Sequence, residues 1–188
     1  IGYAFEIAAV DLSAKFFWGK LQYIGIATVP LFWLIFAYNH ANPGKRLSHG
    51  WMLALSVIPF ITIILALTME WHKLIWNEVE IARSGSLSTL GVISRGWWFY
   101  VHFAYSYLLL LAGSIITLLW LRRAQGLYRG QAAALILSLV TAWVGNILYF
   151  MGVNPDPTPF TFTITVLGLL WAIFGYRLVD IAPVARDL

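Results

Sequence analysis

Runs of apolar residues separated by short polar breaks set the pattern of this chain. The first run, Ile1 to Val10, is about half the length of a membrane span and ends at Asp11-Leu12-Ser13. A spanning helix needs roughly 20 mostly apolar residues. Later runs reach or approach that length at about Ala14 to His40, Gly50 to Met69, Trp97 to Leu121, Gln131 to Gly152 and Phe160 to Tyr176. Ser13 is placed to cap the second helix. Pro30 and Pro59 fall inside their runs, where each removes a backbone hydrogen bond and predicts a kink. Asn42-Pro43-Gly44 stops one helix and opens a basic loop with Lys45, Arg46 and His49. Asn154-Pro155-Asp156-Pro157-Thr158-Pro159 is a stiff turn. Glu70 to Gly96 is read as one long loop that carries Trp71, His72, Trp76, Glu78, Glu80 and a Ser/Gly-rich stretch.

Composition turns this pattern into a membrane protein. Of 188 residues, 61% are hydrophobic, 16% aromatic and only 11% charged, with a mean hydropathy of +0.79. A soluble domain carries about 25% charged residues, and a globule this apolar would expose large greasy patches to water. The fold class expected is all-α, a polytopic membrane helix bundle with five complete spans and one truncated span. The chain begins at Ile1 rather than Met, so it reads as a segment of a longer protein cut inside its first helix. Residues 1–176 form the bundle, and 177–188 start a linker to an absent output domain. With no cysteine, thiolate sites and disulfides are excluded.

The net charge of +4 does not point to nucleic acid, because no basic stripe with interleaved aromatics occurs. Instead it sets orientation. Lys45 and Arg46, then Arg122, Arg123 and Arg129, then Arg177 and Arg186 lie on alternate connections, seven of the twelve basic residues. Lys15, Lys73, Arg83 and Arg95 lie on the other face, and Lys20 lies inside a helix. Basic short loops mark the cytoplasmic side, so the C-terminus is placed in the cytoplasm and the aromatic loop outside. One further helix before Ile1 would make seven spans.

Glu6 and Lys20 are the ionisable residues most clearly within spans, each seven residues from Ser13 on adjacent antiparallel helices. A lone charge at that depth costs several kcal/mol, whereas a pair is tolerable. They are read as a structural ion pair, in preference to a ligand counter-ion or proton site. Gln22 and Asn146 are candidate interhelical hydrogen-bond partners. The aromatic concentration around Trp71, Trp76, Trp98 and Tyr105 is either an interfacial belt or, with His72 and His102, the lining of a small-molecule pocket. His72 and His102 at matched depth are also the minimum for a haem with two axial histidines, but no HxxxH or HExxH spacing accompanies them. No nucleotide loop or Ser/His/Asp arrangement is present, so this segment is not read as an enzyme, and no cofactor is required by its residues.

Several stretches taken in order resemble a known family. They are Gly2-Tyr3-Ala4-Phe5-Glu6, Phe17-Trp18-Gly19-Lys20-Leu21-Gln22-Tyr23-Ile24-Gly25 and Trp71-His72-Lys73-Leu74-Ile75-Trp76. Further along come Gly96-Trp97-Trp98-Phe99 with His102, Tyr105-Ser106-Tyr107-Leu108 and Asp180-Ile181-Ala182-Pro183-Val184-Ala185-Arg186-Asp187. Together they resemble the N-terminal seven-transmembrane sensor region of bacterial membrane histidine kinases, also found before diguanylate cyclase domains. Thr68-Met69-Glu70 stands where that family often has Thr-Asn.

The resemblance implies a sensor in two-component signalling, set in the cell inner membrane. It detects a small or lipophilic stimulus near the outer face and passes it through the last helix to a cytoplasmic kinase or cyclase, with a homodimer formed through the output domains. The stimulus stays open. The rival readings are an accessory subunit of a photosynthetic or respiratory complex, with pigment or haem on histidine, and a transporter. A transporter would call for broken helices near the midplane in an inverted repeat, and Pro30 and Pro59 do not sit in one.

Overall fold

The computed structural model describes residues 2–42, 44–84, 87–123, 129–153 and 156–175. Among them are six helices and one two-stranded sheet: α1 (Gly2–Ala8), α2 (Leu12–Ala41), α3 (His49–Leu67), β1 (Trp76–Ser84), β2 (Leu87–Arg95), α4 (Trp97–Arg123), α5 (Arg129–Phe150) and α6 (Thr158–Gly175). Two compact units divide the chain at Thr117 and Leu118. Residues 177–188, which carry the expected linker, lie outside the described residues.

Helices α2, α3 and α4 are long and apolar enough to cross a membrane. Their surfaces explain why they need one. On α3, Leu53, Val57, Phe60, Ile64 and Leu67 are all exposed, at the three- and four-residue steps that make a single helical stripe. Pro59, Thr62 and Ala66 form the buried stripe opposite. Such an uncovered apolar stripe is stable only against lipid or another apolar partner. The cap of α2 is Asp11 rather than Ser13: its carboxylate accepts the Ala14 N–H at 2.7 Å. Ser48 caps α3 in the same way, accepting from Trp51 N–H at 3.4 Å.

The expected long loop is corrected. Strands β1 and β2 pair antiparallel, from Trp76 opposite Arg95 to Ser84 opposite Leu87, as the two arms of a hairpin. Val79 and Ile81 alternate with Glu78 and Glu80, the period-two pattern of a half-covered strand. The pairing slips around Asn77, and the Asn77 amide donates to the Arg95 carbonyl at 3.2 Å. Without that irregularity Trp76, Glu78 and Glu80 would share one face. With it, Trp76 turns inward while both glutamates stay exposed.

The hairpin is seated on α1 and α2. Gly19 makes the seat, since a Cβ there would lie 2.9 Å from the Trp76 ring and 3.1 Å from Leu90. Behind it, Tyr23, Ala66, Met69 and Ile75 form the buried core, with Phe16, Leu65, Trp76 and Trp98 packed around them. In the second unit α5 and α6 pack against each other, and Thr165 donates its hydroxyl to the Ser138 carbonyl at 3.0 Å.

Candidate functional site

A buried polar clamp holds the hairpin to the helices. The Glu6 carboxylate accepts the Gln22 amide at 2.6 Å through one oxygen and the Leu90 backbone N–H at 2.7 Å through the other. Lys15 is fully buried and donates to the carbonyls of Glu6 at 2.7 Å and Ser88 at 2.6 Å. Ser88 and Leu90 share parity on β2, so these are backbone groups that β2 turns away from β1. An exposed strand edge is a pairing hazard. Here one carboxylate and one ammonium cap it.

The expected ion pair between Glu6 and Lys20 is therefore corrected. Lys20 is paired with Glu70, three residues past the end of α3, and lies 5.4 Å from the centre of the Phe16 ring. The reason is angular. Successive helical residues turn by about 100°, so Lys15, Gly19 and Gln22 share the stripe that faces α1 and the hairpin, while Lys20 points elsewhere. Matched depth did not mean matched face. Gln22 does bond between helices, from α2 to Glu6 of α1. The Asn146 amide donates at 2.8 Å to the Ala142 carbonyl, one turn back on its own helix.

The six aromatic and histidine residues expected to line one pocket divide into two sets. Trp71, His72 and Trp76 line a cleft of about 310 Å³ together with Phe16, Glu70 and Lys73. Trp71 stands on its rim, 85% exposed. Trp76 is held by edge-to-face contacts with Phe16 and Tyr23, at centroid distances of 5.8 and 5.6 Å. Trp98, His102 and Tyr105 do not line this cleft. The Trp98 indole donates to the Thr62 hydroxyl at 3.0 Å. His102 is buried and shares a hydrogen bond with Ser106 at 3.2 Å, one turn along α4.

Tyr105 has a different task. Its hydroxyl donates to the Leu55 carbonyl of α3 at 2.5 Å. In a regular helix the residue-59 N–H would reach that carbonyl, but Pro59 has none. Tyr105 supplies the missing donor and ties α4 to the proline site of α3. The signal was in the sequence: a proline inside a membrane helix orphans the carbonyl four residues before it, and some donor must answer.

At the mouth of the cleft the chain makes a joint of backbone bonds. The Leu74 N–H donates to His72 Nδ1 at 3.3 Å, and His72 Nε2 lies 3.2 Å from the Thr68 hydroxyl. That hydroxyl itself donates to the Ile64 carbonyl at 2.8 Å, so it accepts from Nε2–H. The Leu74 carbonyl then accepts the Trp98 N–H at 3.0 Å, and the Ile75 carbonyl accepts the Gly96 N–H at 2.8 Å. Gly96 is required here because a Cβ would fall 2.2 Å from the carbonyl oxygens of both Lys73 and Leu74. The end of α3, the base of the hairpin and the start of α4 are thus fastened at one point.

Among the described residues, no group of three or more His, Asp or Glu side chains is placed to hold a metal ion.

The chain belongs to the family described as the N-terminal 7TM region of histidine kinase, whose model matches residues 1–183. No curated protein and no solved structure matches it. It is accordingly a transmembrane sensor region of two-component signalling, and the region itself is not catalytic.

Proposed function

We propose that the chain is the stimulus-sensing bundle of a membrane histidine kinase, and that the cleft beside His72 and Trp76 is where the stimulus acts. The observation that carries this reading is the joint: the cleft wall residue His72 holds Leu74, and Leu74 holds the start of α4. A change at His72 in the cleft wall therefore reaches the start of α4. A small or lipophilic ligand suits the apolar floor of Phe16 and Trp76 with a polar rim of Glu70 and Lys73. It must bind one packing better than another, since otherwise nothing shifts.

In this reading the intact domain has seven spans, five of them complete in this chain, in the inner membrane. The cleft lies outside and the C-terminus is cytoplasmic, with residues 177–188 leading into a kinase or cyclase that dimerises. The last helix, α6, carries the shift to that output domain. The test uses the full-length protein in lipid nanodiscs with autophosphorylation as the readout. Trp76→Ala is expected to change basal autophosphorylation, and Gly-Gly inserted after Tyr176 is expected to cancel the difference. Autophosphorylation that is the same with and without Trp76→Ala in the uninterrupted protein would overturn the assignment.

A further inference from the structure

We propose that the proton is itself a ligand of this site, bound at His72 Nδ1, and that its arrival unfastens α4 from the end of α3. Histidine is the side chain whose ordinary titration falls between about pH 5 and 8. Here its two nitrogens are fully assigned. Nδ1 accepts the Leu74 N–H, and Nε2–H is given to a Thr68 hydroxyl already committed as a donor to Ile64. The joint therefore contains the neutral Nε2–H tautomer. A proton added to Nδ1 converts its acceptor into a donor aimed at another donor.

Relief through the backbone reaches α4. If Leu74 withdraws, its carbonyl takes the Trp98 N–H with it, and the neighbouring Ile75 carbonyl is tied to Gly96. Gly96 lies against two backbone carbonyls that leave no room for a Cβ. The displacement passes to the first turn of α4, where the Trp98 indole is bonded to Thr62.

The charged and titratable groups around His72 come from four elements. On its own segment are Glu70 and Lys73, both lining the cleft, with Glu70 already paired to Lys20 of α2. The last turn of α3 and the first turn of α4 contain no ionisable acid or base other than Tyr100. From β1 only Trp76, Asn77 and Val79 line the cleft. Arg95, at the end of β2, stacks on Phe99 at 4.9 Å.

The proposal stands on the joint alone and rests on the sensing reading only in treating the proton as a stimulus. Its test is NMR on the whole chain in nanodiscs with ¹⁵N-labelled histidine, titrated from about pH 8 to about pH 5. At the alkaline end His72 is expected in the Nε2–H form. On titration the Leu74 amide and the Trp98 indole are expected to shift with the midpoint of His72. Protection of the Leu74 amide, corrected for intrinsic exchange, should fall about ten-fold, the loss of one ordinary hydrogen bond.

His72→Asn places a carbonyl oxygen where Nδ1 stands and cannot titrate, so it should keep the protection and abolish the shift. Three results would overturn the proposal: His72 in the Nδ1–H form at about pH 8, His72 titrating while Leu74 and Trp98 stay still, or the same shift persisting in His72→Asn. Should that variant fail to fold, the tautomer and the three midpoints of the unmodified protein decide alone. None of these outcomes bears on whether Trp76→Ala changes autophosphorylation, so failure here leaves the sensing reading to its own test.

Discussion

Removing a single oxygen from Tyr105 probes one of the two side-chain hydrogen bonds described between α3 and α4. Tyr105→Phe preserves the ring and its packing and deletes only the donor that answers Leu55, now bonded at 2.5 Å. The Leu55 carbonyl then has no intrahelical partner, because residue 59 is proline. A buried acceptor left unsatisfied costs about 1–3 kcal/mol. Hydrogen bonds between membrane helices measure lower, averaging about 0.6 and reaching about 1.7 kcal/mol, because the reference state also finds partners. An orphaned backbone carbonyl at a proline site belongs near the top of that range, so we expect a loss of about 1.5 kcal/mol.

The mechanism is isolated by a second change. Pro59→Ala restores an N–H that can reach Leu55 from within α3, so Tyr105→Phe in that background should cost less than about 0.5 kcal/mol. Reversible unfolding in mixed detergent micelles, carried through the four-protein cycle, gives both numbers. Equal losses with and without Pro59→Ala would refute the reasoning, since the hydroxyl would then be acting independently of the missing N–H.

Two further outcomes follow from the clamp. Lys15→Met keeps much of the side-chain volume but leaves the carbonyls of Glu6 and Ser88 without their donor, at about 1–3 kcal/mol each. It should destabilise the domain by at least about 2 kcal/mol and raise hydrogen exchange in β2, and unchanged exchange there would count against the clamp. Glu6→Ala and Lys20→Ala should be additive to within about 0.5 kcal/mol, because the two residues have no partner in common. A double variant markedly more stable than that sum would restore the direct pair.

How far the sequence reaches depends on whether a property is carried by a run of residues or by an angle between them. Apolar runs as long as the bilayer is thick follow from solvation alone, and so does the membrane helix class, because backbone groups in lipid must be satisfied within helices. The order of motifs from Gly2-Tyr3 through Trp71-His72 to Asp180 was enough to point to the family. Pro59 announced an orphaned carbonyl, although which donor answers it depended on α4 lying alongside. Partners across the clamp were decided by tertiary structure. Counting residues from Ser13 put Glu6 and Lys20 at one depth, but a helix turns each residue by about 100°, and that rotation brought Lys15 and Gln22 to Glu6 and sent Lys20 to Glu70.

The hairpin's alternation was present in Val79 and Ile81 but lay between charged residues that also read as loop, and its stability comes from the side chains that cap its edge from α1 and α2. Division of the aromatic set has the same origin. Trp71, His72 and Trp76 precede the hairpin or open it, while Trp98, His102 and Tyr105 follow it, and α4 turns the latter three toward partners on α3 and within itself. Hydrophobicity is additive along a chain, so it can be read from the chain. Hydrogen-bond partnership depends on direction, and only the packed structure supplies that.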